Sequence, residues 1–121
     1  MLIAALALNV VILAPLVWSL LSGTSGMDAA FGPVTDARVI LICVYGAIGV
    51  VSAGLIALHI LGHAWAVPMT FALFAVQITY KLGTLVAVGL SSPVVATNMV
   101  VVAVQAFAML VYAARAESLS A

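Results

Sequence analysis

The sequence predicts an all-α, polytopic membrane protein: four transmembrane helices in a left-handed antiparallel bundle with a buried polar seam. Composition is the first reason. Hydrophobic residues fill 68% of the 121 positions and charged residues 5%, where a soluble domain has roughly 45–50% and about 25%. A water-soluble chain of this length must leave much of its surface in contact with solvent and cannot hide so much apolar area. Mean hydropathy is +1.45. The second reason is that the apolar residues fall into four stretches of the roughly 20 residues a helix needs to cross a bilayer. The third is that the few polar residues recur every seven positions on three of those stretches.

The spans are expected at residues 2–21, 39–61, 64–90 and 93–114, so residues 1–121 form one transmembrane domain. The first span follows Met1 with no basic segment before it, and is expected to be retained rather than cleaved as a signal. Pro15 lies inside it and removes a backbone donor, which predicts a kink. A polar, flexible run, Ser22-Gly23-Thr24-Ser25-Gly26, and the turn signal Gly32-Pro33 then separate it from the second span. This first loop, residues 22–37, is the one connection long enough to fold over the bundle. Thr35 or Asp36 can cap the second span by accepting from its free N–H groups. Gly62-His63 suits a helix end, and Pro68 falls in the tolerated first turn of the third span. Ser91-Ser92-Pro93 reads as a cap followed by proline at the first helical position. The last two connections are only a few residues long, so spans two, three and four must run antiparallel to their neighbours.

The polar residues define the interior. Arg38, Tyr45, Ser52 and His59 recur at seven-residue steps on the second span, and Thr70, Gln77, Thr84 and Ser91 on the third. Asn98, Gln105 and Tyr112 continue the interval on the fourth. A seven-residue repeat keeps one face inward when helices supercoil to the left. Lipid tails cannot satisfy hydroxyls or amides, so the three stripes must share one interior. Antiparallel threading then stacks them in layers. Arg38 and Ser91 lie near one surface, followed by Tyr45, Thr84, Asn98 and Lys81. Ser52, Gln77, Gln105 and Asn9 meet near the midplane, and His59, Thr70 and Tyr112 lie near the other surface. Such a seam can be a set of hydrogen bonds fixing helix register, at about 0.6 kcal/mol each and rarely above ~2. Alternatively, it lines a cavity for a small ligand. Gly49, Ala53 and Ala57, at four-residue steps, favour tight packing on the second span.

Lys81 is the most expensive residue in the chain. A lysine near mid-membrane costs ~2.5–3.5 kcal/mol on insertion scales and is a functional candidate by default. No carboxylate lies within any of the four spans. Its options are a pair with Asp28 or Asp36 if the loop dips inward, snorkelling among Tyr45, Asn98 and Thr84, or a ligand anion or a partner protein's carboxylate. The candidate cavity is therefore Lys81, Tyr45, Gln77, Asn98, Gln105, Asn9 and Thr84. Asp28, Asp36 and Arg38 are the candidate contact to a protein partner. His59 and His63, spaced i, i+4, are weak metal candidates, because zinc wants at least three protein ligands and no third is near. Trp18, Trp65 and Tyr112 read as an interfacial aromatic belt. Cys43, the single cysteine, is expected to be buried, inert packing and excludes an internal disulfide.

The order of segments resembles small bacterial four-helix membrane proteins of the DoxX-like kind. The resemblance is carried by Thr35-Asp36-Ala37-Arg38 leading into Val39-Ile40-Leu41-Ile42-Cys43-Val44-Tyr45. Gln77, Tyr80 and Lys81 in the third span, and Ser91-Ser92-Pro93-Val94-Val95 opening the fourth, add to it. It implies a four-helix bundle in the bacterial inner (cytoplasmic) membrane and transfers no catalytic residue. In size the chain is also similar to the small multidrug transporters, which depend on a glutamate in their first helix. The neutral Asn9 stands there instead, which disfavours proton-coupled export of cations.

The sequence excludes some functions. With no net charge and no basic run, nucleic-acid binding has no footprint. No phosphate-binding loop, carboxylate pair or nucleophile–base set is present, so no enzymatic activity is expected. The leading expectation is a non-catalytic accessory or assembly subunit of a larger, bioenergetic or photosynthetic, membrane complex. It would contact lipids and either a membrane-protein partner or further copies of itself. The alternative is a carrier binding a small anion or quinone at Lys81, and a further alternative is a haem- or pigment-binding subunit through His59. No cofactor is required, although a lipid or quinone remains open. Both termini are expected in the cytoplasm, because the longer loop carries Asp28 and Asp36 beside Arg38; the positive-inside rule has little else to count.

Overall fold

A computed structural model describes residues 1–24 and 26–120, so Ser25 of the first loop lies outside the described residues. The chain is a four-helix membrane bundle. Its elements are α1 (Leu2–Ser22), the short α2 (Met27–Phe31), α3 (Asp36–Ile60), α4 (Ala66–Ala87) and α5 (Pro93–Ser120). All but α2 are long and apolar enough to cross a membrane, and no strand occurs among the described residues. The protein is thus a multi-pass membrane protein. The spanning helices form a ring: α1 packs on α3, α3 on α4, α4 on α5 and α5 on α1.

The helix ends follow from local chemistry. Thr35 caps α3, its Oγ1 accepting from the Arg38 N–H at 3.3 Å. The other end closes through paired bonds, Gly62 N–H to His59 O at 3.1 Å and His63 N–H to Leu58 O at 2.9 Å. This Schellman arrangement needs a left-handed residue, and Gly62 supplies it with φ +67°. α4 starts two residues later than the sequence suggests and holds Pro68 in its first turn, where the missing N–H costs nothing. It stops at Ala87 rather than Leu90, because Gly89 turns left-handed at φ +96°. α5 begins with Pro93 and runs past Ala114 to Ser120. α1 is continuous through Pro15, which lies on the exposed side of the helix.

Burial is inverted relative to a soluble protein. Asn9, Arg38, Ser52, Thr70, Gln77, Lys81, Asn98 and Gln105 are all buried, while Val11, Trp18, Val50, Ile60, Val86 and Leu110 are exposed. In lipid this is the favourable arrangement, since the tails satisfy apolar side chains and nothing else. Two apolar clusters flank the polar interior. At the end away from α2, Leu2, Ala5, Leu6, Leu55, Phe74 and Ala108 close the bundle. At the α2 end, Leu13, Leu20, Tyr45 and Ile48 pack with Met27 and Phe31 of the loop.

The first loop does fold over the bundle, and it contains a helical turn where the sequence predicts only loop. Phe31 meets Tyr45 edge-on at 6.2 Å between ring centroids, and α2 also touches α5. Cys43 corrects an expectation: it is exposed. Its neighbours in the inward stripe are Arg38 and Tyr45, and position 43 falls off that stripe onto the face turned to lipid.

Candidate functional site

Two polar layers fill the interior, and they differ in kind. The first lies near mid-bundle. Asn9 Nδ2 donates to Ser52 Oγ at 3.0 Å and to Gln77 Oε1 at 2.8 Å. Gln105 Nε2 donates to Gln77 Oε1 at 2.8 Å and to Asn9 Oδ1 at 3.2 Å. One side chain from each of α1, α3, α4 and α5 thus meets in a single knot, as the seven-residue arithmetic predicts. Every member is neutral, and each is 2% exposed or less. Closing such a network ties the register of all four helices together.

The second layer sits one to two turns nearer α2. Lys81 is 4% exposed, about six residues before the end of α4, or ~9 Å at 1.5 Å per residue. Its Nζ donates to Asn98 Oδ1 at 2.9 Å and lies 5.0 Å above the centroid of the Tyr80 ring. Asn98 Nδ2 donates in turn to Thr84 Oγ1 at 3.3 Å, and Thr84 Oγ1 to the Lys81 carbonyl at 2.6 Å. The lysine does not snorkel to the bundle surface. Neither Asp28 nor Asp36 pairs with it: both are exposed, and Asp28 pairs with Arg38. A buried ammonium therefore rests on one neutral amide and one ring face.

A cavity of about 260 Å³ reaches this lysine. Its polar end is Asn9, Tyr45, Gln77, Lys81 and Asn98, and its walls are Ile12, Leu13 and Leu16 of α1 with Val94, Thr97 and Val101 of α5. Phe31 and Ala30 of α2 lie across the top. Of the residues expected in a cavity, Gln105 and Thr84 do not line it. Gln105 belongs to the knot below, where its buried Oε1 accepts no hydrogen bond, and Thr84 stands behind Asn98. Sequence reasoning misses the apolar wall, because an apolar residue facing a cavity and one facing lipid look alike in a hydrophobic span.

Arg38 is not the surface group expected of a partner contact. It is 3% exposed, and its Nη1 donates to Asp28 Oδ1 and, at 2.7 Å, to the Gly32 carbonyl. The guanidinium thereby pins α2 and the following turn to the start of α3. Asp36 remains on the outside at the first turn of α3, where a negative charge suits the helix N-terminus. The histidines do not converge. His59 Nε2 is engaged with Thr70 Oγ1 at 2.9 Å, while His63 Nδ1 accepts from the Trp65 N–H at 3.2 Å. No three metal-ligating side chains cluster among the described residues. Trp18 and Trp65 are exposed near helix ends, and Tyr112 is partly covered by Phe71 at 5.6 Å. No family model, curated protein or solved structure matches the chain.

Proposed function

We propose that this protein is an intramembrane binding protein, of carrier type, for a small molecule whose anionic or carbonyl head is held by Lys81. The observation that carries this reading is the buried ammonium at the wall of a cavity, with no carboxylate paired to it among the described residues. Burial of an uncompensated charge costs several kcal/mol, and a ligand bearing negative charge or a strong acceptor offsets that cost when it binds. An anion and a quinone both qualify. Asn98, Gln77 and Asn9 supply further hydrogen-bonding groups around the same point. The knot of Asn9, Ser52, Gln77 and Gln105 lies on the side of the cavity away from α2.

The accessory-subunit reading rests on Asp28, Asp36 and Arg38 as a contact surface. With Arg38 engaged inside the chain, two exposed carboxylates remain for it. The resemblance to DoxX-like proteins supports a bacterial cytoplasmic membrane as the location, and the first loop's Asp28 and Asp36 beside Arg38 support both termini on the cytoplasmic side.

The test is native mass spectrometry of the protein released from lipid nanodiscs, for wild type and Lys81→Met. A small molecule should accompany the wild type and be absent from the variant. Equal retention by both would move the site away from Lys81. A stoichiometric protein partner in place of a small molecule would favour the subunit reading.

A further inference from the structure

The cavity says more about its ligand than the charge at its end. Its lining is amphipathic: one buried ammonium and three amides face the apolar side chains of Ile12, Leu13, Leu16, Val94 and Val101. The mouth also has a direction. α1 and α5 touch at the closed end, where Leu2, Ala5 and Leu6 pack with Ala108 and Val104. Nearer α2 the space between the two helices is the cavity itself. Pro93 and Thr97, both exposed, and the half-buried Ile12, Leu16 and Val94 edge it on the lipid-facing side. The axial route is covered by Ala30 and Phe31, and α2 is fastened by Arg38 to Asp28 and Gly32.

From this geometry we infer that the ligand is a short single-chain amphiphile with one anionic head, a monocarboxylate, entering sideways from the bilayer between α1 and α5. This inference rests on the binding reading and narrows it. A hydrophilic anion would meet at the mouth the Thr97 hydroxyl among apolar side chains, and no charged or amide group. A neutral apolar molecule would leave the ammonium uncompensated. An amphiphile in the leaflet presents its chain to lipid and its head to the protein, and satisfies both ends at once. Size bounds the chain. A cavity of about 260 Å³ takes a carboxylate head with a chain of several carbons. A long acyl chain fits only if its remainder trails out of the mouth into lipid. The head would accept from Lys81 Nζ, and no covalent step is involved.

The experiment is thermal unfolding of the protein in nanodiscs with four probes: octanoate, acetate, octan-1-ol and a short-chain neutral benzoquinone. Wild type is compared with Lys81→Met and with Leu16→Trp, which fills the chain slot and leaves the head site intact. Octanoate should raise the wild-type Tm, with half-saturation at least tenfold below that of acetate or octanol. Lys81→Met and Leu16→Trp should each abolish the octanoate shift. Acetate matching octanoate, with Leu16→Trp harmless, would overturn the amphiphile and leave an anion-binding protein. A quinone shift that needs Lys81, with no octanoate shift, would overturn the anionic head and leave the binding reading standing. The absence of any Lys81-dependent shift with all four probes would overturn both. Should Lys81→Met fail to fold, Leu16→Trp still decides between a bound chain and a bound head.

Discussion

Asn9→Leu is the sharpest test of how the bundle is held together. Leucine has the same branched outline as asparagine, with slightly bulkier tips, and suits a helix, so the substitution chiefly removes hydrogen bonds. Asn9 donates to Ser52 and Gln77 and accepts from Gln105, at 3.0, 2.8 and 3.2 Å, and a longer fourth bond from Gln77 Nε2 at 3.5 Å is left out of the sum. At about 0.6 kcal/mol for an interhelical bond within a membrane, the three together come to roughly 2 kcal/mol. Some is recovered. Gln105 and Gln77 keep their own bond at 2.8 Å, whereas Ser52 loses its one interhelical partner and can only turn back to its own helix. The new leucine gains nothing from burial, because lipid is as apolar as the core. The expected loss is therefore about 1–2 kcal/mol, up to roughly a 30-fold change in the unfolding constant. Unfolding by SDS titration in bicelles, monitored on purified protein, measures it. A cycle with Ser52→Ala isolates one bond and should return a coupling of about 0.6 kcal/mol. Unchanged or raised stability in Asn9→Leu, with no coupling to Ser52, would refute the knot as a source of stability and argue that water fills this layer.

Three further outcomes follow from the same geometry. Asp28→Ala leaves the buried Arg38 guanidinium with the Gly32 carbonyl as its remaining acceptor, so α2 should loosen by about 1 kcal/mol or more and proteolysis within residues 22–35 should accelerate about fivefold or more. A spin label on the exposed Cys43 should be relaxed by oxygen dissolved in the bilayer and not by a water-soluble nickel chelate; protection from both would mean that a second copy or partner covers this face. Gly49→Ala should be neutral or stabilising by up to ~1 kcal/mol, because a Cβ there would meet Leu13 Cβ at an ordinary 3.9 Å; a loss above 1 kcal/mol in the SDS titration would show that α1 and α3 must approach more closely.

Much of this architecture is written in residue spacing, and the parts that are not share a cause. Spacing alone assigns Asn9, Ser52, Gln77 and Gln105 to one layer, because a polar side chain in an apolar span has only the interior to go to. The same logic places Lys81 beside Asn98 and His59 beside Thr70. It gives no help where side chains are apolar. Ile12, Leu16, Val94 and Val101 line the cavity, yet nothing distinguishes them in sequence from Val11 or Val100, which face lipid. Cys43 defeats it for a related reason: a small apolar residue in a span is as comfortable outside as in. At Arg38 the seven-residue step and the charge point opposite ways, and the step is the one that agrees with its burial. A charge at the start of a helix ordinarily reads as surface, but the loop before it returns Asp28 and the Gly32 carbonyl over the top and encloses the guanidinium. α2 itself, a single turn among small and flexible residues, has too few positions for any periodicity to register.

The contrast between the two polar layers is what separates structure from function in this protein. If the seam existed only to fix helix register, neutral amides and hydroxyls would suffice, and in the layer of Asn9, Ser52, Gln77 and Gln105 they do. The layer above carries a lysine instead, though a neutral residue such as Met would be cheaper there, a charge at a helix centre costing ~2.5–3.5 kcal/mol on insertion scales. Among the described residues it has no carboxylate to offset that cost, and the cavity reaches the ammonium as well as Asn9 and Gln77 of the knot. Lys81→Met therefore separates the two roles in one measurement. Without ligand the variant should melt at or above the wild-type temperature in nanodiscs, since an unpaired charge is removed and a single bond to Asn98 is lost. A clear drop in Tm would mean that the ammonium holds the bundle together, and the case for a ligand at this site would fall with it.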